Sequence, residues 1–236
     1  MNRPIVSIII PTLNEEKIIG ATLRALSDQT VPRNQYEIIV ADGYSKDKTI
    51  TISRRLADKV VFEKKLVIAA GRQKGALAAK GKILVCADGD SRSRRDWLEE
   101  LLKPFADKRV VASFGAVEPL ESTPFRELMC RLMSVYFRIT AALGLPSGAG
   151  ASLAIRADAF TKAGGFDTGL MTGEDVELQK RVKRLGRVVF APRSVMAISF
   201  RRVEKWGYLK FVLFHSANFL RTHFLGRSAE QYERIR

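Results

Sequence analysis

Cysteine and histidine are scarce in this chain of 236 residues, which has two of each. Two cysteines argue against a disulfide framework or a structural zinc site, and they favour a reducing, cytoplasmic compartment. No run of about 18 apolar residues occurs, so no membrane-spanning helix is predicted. The first apolar run ends at Pro11, too early for a secretion signal. Internal repeats and low-complexity linkers are also absent, and the length suits one domain with a short extension.

Acidic residues are few in the last quarter of the chain, where basic residues dominate. The net charge is +15, and residues 180–236 contain 14 Lys and Arg against 3 Glu. Positive charge concentrated in this way attracts an anionic partner, such as a nucleic acid, a phospholipid surface or a phosphorylated substrate. A solvated surface without a partner is the alternative interpretation.

The first half of the chain alternates between short apolar runs and segments with helical periodicity. Strands are predicted at residues 6–10, 37–41, 60–62, 83–87 and 110–115. Helices are predicted after Asn14, after Ser45 and over residues 69–79, where apolar residues recur at helical spacing. This alternation predicts an α/β fold with a Rossmann-like, mainly parallel sheet and helices on both faces.

An acidic triplet, Asp88-Gly89-Asp90, follows the predicted strand at residues 83–87. The strand is apolar throughout, which is typical of burial on both faces of a sheet. Ligands bind at the carboxyl ends of strands in open α/β sheets, and two carboxylates flanking one glycine can share a divalent cation. The triplet therefore suggests a metal–phosphate site, although a turn that caps the next helix has the same short signature.

After about residue 115 the pattern changes. Residues 124–143 form a predicted helix with apolar side chains largely on one side. A short strand is predicted at residues 153–155 and a charged helix near Gly173. Residues 203–225 combine six aromatic residues with lysine and arginine. They fit either an interfacial amphipathic helix or a helix that packs onto the sheet.

Four local signals occur in a fixed order along the chain. They are residues 6–15, residues 37–43, the triplet at 88–90 and the sequence Gly173-Glu174-Asp175, which follows Gly164-Gly165-Phe166-Asp167. In this order they resemble the family 2 glycosyltransferases, which have the GT-A fold and use nucleotide-sugar donors. The resemblance covers about residues 4–186.

The resemblance implies a GT-A catalytic domain over residues 1–200. Its nucleotide-binding half would end near residue 115, and its acceptor half would cover residues 116–200. A basic, aromatic extension at residues 201–236 would follow, with a possible role at a membrane.

The same resemblance implies roles for individual residues. The residues that would line the nucleotide pocket are Pro11, Thr12, Asn14 and Glu15. Asp42 resembles the family's base-reading aspartate, and Asp88 and Asp90 resemble its metal–diphosphate motif, which would hold Mn²⁺ or Mg²⁺. The cation would stabilise the charge that grows on the diphosphate leaving group. Asp175 resembles the general base, which would take the proton from the attacking hydroxyl with inversion at the sugar.

Two departures from the family pattern bear on these roles. Asp42-Gly43-Tyr44-Ser45 stands where the family commonly has Asp-Asp-Gly-Ser, so the second carboxylate is missing. The Gln/Arg-x-x-Arg-Trp signature of processive polysaccharide synthases is also absent, which favours single addition.

Asp175 also has a structural interpretation. Thr172 and Asp175 have the spacing of a capping box, and carboxylates in a helix's first turn are stabilised by the helix dipole. Glu174 would then cap the helix, while Asp175 faces the cleft. The same motif places Glu174 near the diphosphate or the acceptor.

Further candidates for the site are basic. Arg72 and Lys74 would add positive charge near the phosphates, or else form a solvated helix face. Arg201 and Arg202 would clamp the diphosphate, or else face anionic lipid. His215 is the candidate for a third metal ligand, against the alternative of a packed histidine among apolar neighbours.

Together these features predict an inverting, metal-dependent glycosyltransferase with a UDP- or GDP-sugar donor. The basic extension suggests an acceptor at a membrane surface, such as a polyprenyl phosphate or a lipid-linked sugar, and peripheral association with the cytoplasmic membrane face. A basic nucleic-acid-binding protein without catalysis is the alternative, favoured by interleaved aromatic and basic residues and opposed by the acidic strand ends. A nucleotidyltransferase is disfavoured because residues 11–16 contain no glycine.

Overall fold

The computed structural model describes residues 4–225, which build one mixed sheet of eight strands. The strands are β1 (Val6–Thr12), β2 (Tyr36–Asp42), β3 (Lys59–Phe62), β4 (Ile83–Cys86), β5 (Arg92–Ser93), β6 (Val110–Pro119), β7 (Leu153–Arg156) and β8 (Arg187–Ile198). Their order across the sheet is β3-β2-β1-β4-β7-β6-β8-β5.

Helices cover both faces of this sheet. They are α1 (Ile19–Ser27), α2 (Thr49–Leu56), α3 (Ile68–Ala78), α4 (Trp97–Leu102), α5 (Pro124–Ala142), α6 (Ala157–Lys162), α7 (Glu174–Val182), α8 (Arg201–Trp206) and α9 (Tyr208–Leu220). Short 3-10 helices lie at Arg33–Gln35, Lys103–Ala106, Gly150–Ser152 and Lys183–Leu185, and a π-helical turn at Arg221–Leu225 follows α9.

The parallel arrangement predicted for the first four strands is confirmed. β1 pairs in parallel with β2 and β4, and β2 pairs in parallel with β3. Ile8, Ile9 and Ile10 are fully buried, because α1 packs against one face of β1 and α3 against the other. The carboxyl ends of β1, β2 and β4 therefore meet at one edge of the sheet, where ligands of α/β folds bind.

The second half of the sheet is mixed. β7 runs antiparallel to both β4 and β6, β8 runs parallel to β6, and β5 runs antiparallel to β8. β5 and β8 were not expected from the sequence. The register jumps in β8, since Ala191 lies opposite Gly115 but Val195 lies opposite Ala116, so residues 192–194 bulge out. Pro192 and Arg193 sit in this bulge and interrupt the pattern that identifies a strand.

The predicted helix at residues 124–143 is confirmed as α5, but its apolar stripe is not buried. Cys130, Phe137 and Thr140 face the core, whereas Leu132 and Ile139 are more than half exposed. The opposite side of α5, with Cys130 and Phe137, is the side that covers the sheet. The stripe is therefore left at the surface.

The predicted basic extension, residues 201–236, lies within the described residues only as far as residue 225. Tyr208 and Phe211 pack against the core, as the packing interpretation expects, whereas Phe224 is exposed. Within residues 4–225, every helix is too short or too polar to cross a bilayer.

Candidate functional site

A cleft of about 850 Å³ opens at the carboxyl ends of β1 and β4 and is walled on its far side by α5 and α9. Most residues singled out by the sequence line it. They are Pro11, Thr12, Glu15, Arg72, Asp88, Asp90, Glu174, Asp175, Arg201, Arg202 and His215. Of the described residues predicted for the site, Asn14, Asp42 and Lys74 lie outside this wall.

Asn14 and Asp42 instead hold together the loops that follow β1 and β2. Asp42 is fully buried, and its two carboxylate oxygens accept hydrogen bonds from the backbone N–H and the hydroxyl of Ser45, both at 2.7 Å. The Ser45 hydroxyl also accepts a hydrogen bond from the Asn14 N–H at 2.8 Å. Asn14 Oδ1 accepts one from the N–H of Lys46 at 2.8 Å. These contacts shape the rim of the cleft, but the Asp42 carboxylate itself is buried under this rim and does not line the cleft.

Each carboxylate of the acidic triplet faces an arginine from another part of the chain. Arg72 Nη2 donates a hydrogen bond to Asp88 Oδ1, and Arg201 Nη2 donates one to Asp90 Oδ2, both at 2.7 Å. Arg201 also donates to the two carboxylate oxygens of Glu15, at 3.0 and 3.2 Å. Burial and the charge of Asp88 raise the pKa of Asp90, against the opposing effect of Arg201. The triplet thus forms part of a charged network that crosses the cleft.

The second partner of Arg72 is Glu174, the first residue of α7. Arg72 Nη1 donates a hydrogen bond to Glu174 Oε1 at 2.6 Å, and both side chains are almost completely buried. The solvated-face interpretation is therefore wrong for Arg72 and right for Lys74, which is exposed. Burial raises the pKa of the Glu174 carboxyl to about 7, and Asp175 adds to this effect while Arg72 opposes it.

Stability is expected to depend on pH through Glu174. Its carboxyl binds a proton more tightly in the folded state (pKa about 7) than at its ordinary value of 4.5. The folded state therefore holds more protons between these pH values, and the free energy of unfolding should fall as the pH rises through them. Urea denaturation at several pH values should show this slope in the wild type and a flatter one in Glu174→Gln. Equal slopes in the two proteins would contradict the assignment. Glu121→Gln, at an exposed glutamate, is the control.

Asp175 lies in the first turn of α7, at the cleft. Its Oδ2 accepts a hydrogen bond from the Gly150 N–H at 2.7 Å, which anchors one side of the carboxylate. The residue that caps α7 is Gly173, in the left-handed conformation (φ 74°), and no side-chain hydrogen bond caps this helix. The capping-box interpretation of Asp175 is therefore wrong.

His215 and Arg202 belong to the far wall, on α9 and α8. Burial lowers the pKa of His215, Arg202 lowers it further, and Asp175 opposes both by raising it. The centroid of the His215 ring lies 4.4 Å from that of Phe211, with the two rings tilted by 49°. The Arg202 guanidinium lies 5.3 Å from the Trp206 ring. In the part of the chain that the structure describes, no three His, Cys, Asp or Glu side chains are grouped to hold a metal. The predicted set of Asp88, Asp90 and His215 is therefore not brought together.

A loop of small residues, 147–151, belongs to the site but was not assigned to it from the sequence. Gly148 exchanges two hydrogen bonds with the side chain of Gln179, at 3.0 and 2.8 Å. A Cβ atom on Gly150 would lie 2.1 Å from Arg72 Nη1, so only glycine fits there. A run of small residues indicates that the backbone lies close to another group, but the sequence does not identify that group.

The apolar wall of the cleft was also missed. It is formed by Met129, Met133 and Tyr136 of α5 together with Phe211 and Phe219 of α9. Apolar residues at helical spacing are usually core residues, so nothing in the pattern distinguished these from packing positions.

Comparison with known proteins supports a single family. The sequence model of the family described as "Glycosyl transferase family 2" matches residues 7–160. Over 123 residues the chain is 32% identical to Glycosyltransferase AglE of Haloferax volcanii, a match that covers 49% of this chain and 40% of the relative. It is 28% identical over 231 residues to the Succinoglycan biosynthesis protein ExoA of Rhizobium meliloti, covering 91% of this chain and 70% of that one. The match to Glycosyltransferase AglE thus spans less than half the length of that relative.

A solved structure agrees over nearly the whole chain. The mannosyltransferase PcManGT from Pyrobaculum calidifontis, in complex with GDP-Man and Mn²⁺, superposes with a TM-score of 0.74 at 25% identity. The superposition covers 97% of this chain and 67% of that one. The predicted GT-A fold is confirmed by this likeness. The match to the family model extends over more than half of the chain. The chain therefore belongs to glycosyl transferase family 2.

Proposed function

We propose that this protein is an inverting, metal-dependent glycosyltransferase that moves a sugar from a UDP- or GDP-sugar to a lipid-linked acceptor. The observation that carries the proposal is the composition of the cleft. One end holds Asp88, Asp90 and Arg201, Asp175 lies in the same cleft, and the far wall is apolar.

The donor would bind at the carboxyl ends of β1 and β4. Pro11, Thr12 and Glu15 line this end of the cleft, and the loop held by Asp42 forms its rim. Arg201 is placed to exchange its carboxylate partners for the diphosphate of the donor, since guanidinium groups bind phosphate as readily as carboxylate.

The residues of the triplet fit a divalent cation of the Mn²⁺ or Mg²⁺ type. Each carboxylate contacts its arginine through one oxygen, Oδ1 in Asp88 and Oδ2 in Asp90, so the other oxygen is not taken by that contact. Carboxylate oxygens are the ligands such cations prefer, and donor phosphates commonly complete the coordination. The cation, when bound, supplies positive charge to the diphosphate leaving group. The structure of PcManGT with GDP-Man and Mn²⁺ supports this choice of cofactor.

Asp175 would act as the base that accepts the acceptor's proton. Its carboxylate is anchored through Oδ2 by Gly150, which fixes its orientation at the cleft. A single base opposite a diphosphate leaving group is the arrangement of direct displacement, which inverts the anomeric carbon.

The apolar wall supports an acceptor with a hydrocarbon part. Met129, Met133 and Phe219 would favour such a part over the many hydroxyls of a free sugar. A lipid-linked acceptor lies at a membrane, so peripheral attachment to the cytoplasmic membrane face belongs to this proposal. The family assignment favours catalysis over the nucleic-acid-binding alternative.

The proposal is tested with a panel of UDP- and GDP-sugars, each with Mn²⁺, Mg²⁺ or EDTA, in which released nucleoside diphosphate is measured. We expect one donor to be hydrolysed only with metal. Asp90→Asn should lower that rate at least ~10²-fold, because a catalytic cation contributes several kcal/mol and each 1.36 kcal/mol is tenfold. Asp158→Asn, at an exposed carboxylate of α6, should keep the wild-type rate. Metal-dependent hydrolysis that survives in Asp90→Asn would refute the role of the triplet.

A further inference from the structure

The exposed stripe of α5 is too regular to be scattered surface. Leu128, Leu132, Val135 and Ile139 are each 51–55% exposed and recur every three or four residues. This spacing places them on one face of the helix, as in a helix that is covered by a partner.

A second stripe lies beside the first, on α9. Leu209, Leu213 and Leu220 are 74%, 59% and 54% exposed and also share one helix face. The face continues past the end of α9 to Phe224, which is exposed as well.

The two helices are neighbours and run in the same direction. The ring of Phe125 lies 4.6 Å from that of Tyr208, and the ring of Tyr136 lies 5.7 Å from that of Phe219. Eleven residues separate the two contacts on each helix, so α5 and α9 are parallel. The buried side of α5 faces the sheet, and the inner side of α9, with Phe211 and Phe219, faces the cleft. The two exposed stripes therefore form one surface, which we call the α5–α9 face.

Basic residues border the α5–α9 face on both edges. Arg131 and Arg138 are exposed on α5 next to its stripe. Lys210 and Arg221 are exposed two positions after the α9 residues that contact α5, which places them on the opposite edge. Arg131 also has an ion pair with Glu127 at 3.6 Å on its own helix.

Negative charge is absent from this part of the sequence. Residues 128–143 and 208–224 contain four Lys or Arg and no Asp or Glu. Apart from Glu127, which pairs with Arg131, the face therefore has an apolar centre with basic edges, which complements a bilayer whose headgroups are anionic. A protein partner would more commonly meet a face with charges of both signs.

The cleft opens onto the same face. Leu132 of α5 and Val212 of α9 both line the cleft and are 55% and 42% exposed. The apolar wall of the cleft thus continues without a polar break into the α5–α9 face.

We propose that the α5–α9 face docks on a bilayer that contains anionic phospholipids, so that the cleft opens toward the lipid. The apolar stripes enter the boundary between headgroups and acyl chains, and the four basic residues contact headgroup phosphates. A lipid acceptor then reaches Asp175 along the apolar wall between α5 and α9. This last step rests on the proposed function, whereas the docking of this face is argued from its exposed apolar and basic residues alone.

The test is co-sedimentation of the full chain with two kinds of vesicle, phosphatidylcholine alone or mixed with phosphatidylglycerol. We expect binding to the mixed vesicles that weakens at high ionic strength. Ile139→Glu/Leu213→Glu should weaken this binding at least ~10-fold. Neither residue lines the cleft, so hydrolysis of the donor in the absence of vesicles should be unchanged. Leu77→Glu, at an exposed leucine of α3, is the matched control and should bind as the wild type does.

A second variant separates charge from apolar contact. We expect weaker binding to phosphatidylcholine alone than to the mixed vesicles, and Arg138→Glu/Lys210→Glu should reduce the binding to the mixed vesicles to that level. The control Arg54→Glu/Arg55→Glu reverses two exposed arginines of α2 and should have no effect.

Several outcomes would overturn the docking proposal. Equal vesicle binding by Ile139→Glu/Leu213→Glu and the wild type would refute it. A wild-type dimer in sedimentation velocity that this variant dissociates, without vesicle binding, would assign the face to a second copy instead. Vesicle binding without hydrolysis of any donor would support the docking proposal and refute the proposed function.

Discussion

Arg72→Met is expected to lower the free energy of unfolding by ~3–5 kcal/mol, the typical cost of removing one partner of a buried ion pair. Arg72 is 3% exposed and joins the carboxylates of Asp88 and Glu174, at 2.7 and 2.6 Å. Methionine fills a similar space without charge, and it would leave the Glu174 carboxylate buried without its cation. Urea denaturation followed by circular dichroism measures the loss.

Two further variants test this explanation. Arg33→Met removes an ion pair with Asp58 whose side chains are about 40% exposed, and such pairs contribute only ~0–1 kcal/mol. Arg72→Met/Glu174→Gln removes both buried charges and should recover part of the stability lost in Arg72→Met. If Arg72→Met is no less stable than Arg33→Met, the buried contacts of Arg72 with Asp88 and Glu174 do not contribute the predicted stability.

Asp175→Asn is expected to slow metal-dependent hydrolysis of the donor by ~10²–10⁴-fold, the usual contribution of a general base. The carboxylate accepts hydrogen bonds from the Gly150 N–H through Oδ2 and from the Val176 N–H through Oδ1, and asparagine keeps one oxygen for the Gly150 N–H, so the loop should stay in place. It lacks the basic carboxylate that would take a proton from water. The rate of nucleoside diphosphate release measures the effect, and calorimetric titration of the nucleotide should show an unchanged Kd.

Asp167→Asn is the matched control, because Asp167 is an exposed aspartate that, like Asp175, accepts a hydrogen bond from a glycine N–H, that of Gly169 at 2.8 Å. It should hydrolyse the donor at the wild-type rate. A rate in Asp175→Asn within a few-fold of the wild type would assign the proton to another group. A raised Kd with an unchanged rate would show instead that Asp175 binds the donor.

The sequence predicts the parallel half of the sheet well because its signals are local. Buried runs such as residues 83–86 are apolar throughout, and the acidic triplet directly follows one of them. The helix at α5 was also predictable from periodicity alone. Periodicity reports which residues share a face, however, and not what covers that face, so the exposure of the α5 stripe was not foreseeable.

Long-range pairings in the site could not be predicted. Arg72 and Glu174 are 102 positions apart, and Arg201 and Glu15 are 186 apart. Each of these residues alone has the signature of an ordinary surface charge. Only the fold shows which oppositely charged side chain each of them contacts. Only the fold shows, likewise, that a side chain at Gly150 would collide with Arg72.

The pairing of Arg72 with Glu174 also sets an order of events during synthesis on the ribosome. The strands and helices of the first half leave the ribosome before α7, so Arg72 and Asp88 are present while Glu174 is still being made. Until α7 docks, the Arg72 guanidinium has only one of its two carboxylates. The second hydrogen bond of Arg72, to Glu174, therefore forms late, when α7 docks. A nascent chain that has released only residues up to 115 has Arg72 beside Asp88 but lacks Glu174, the second carboxylate that Arg72 contacts.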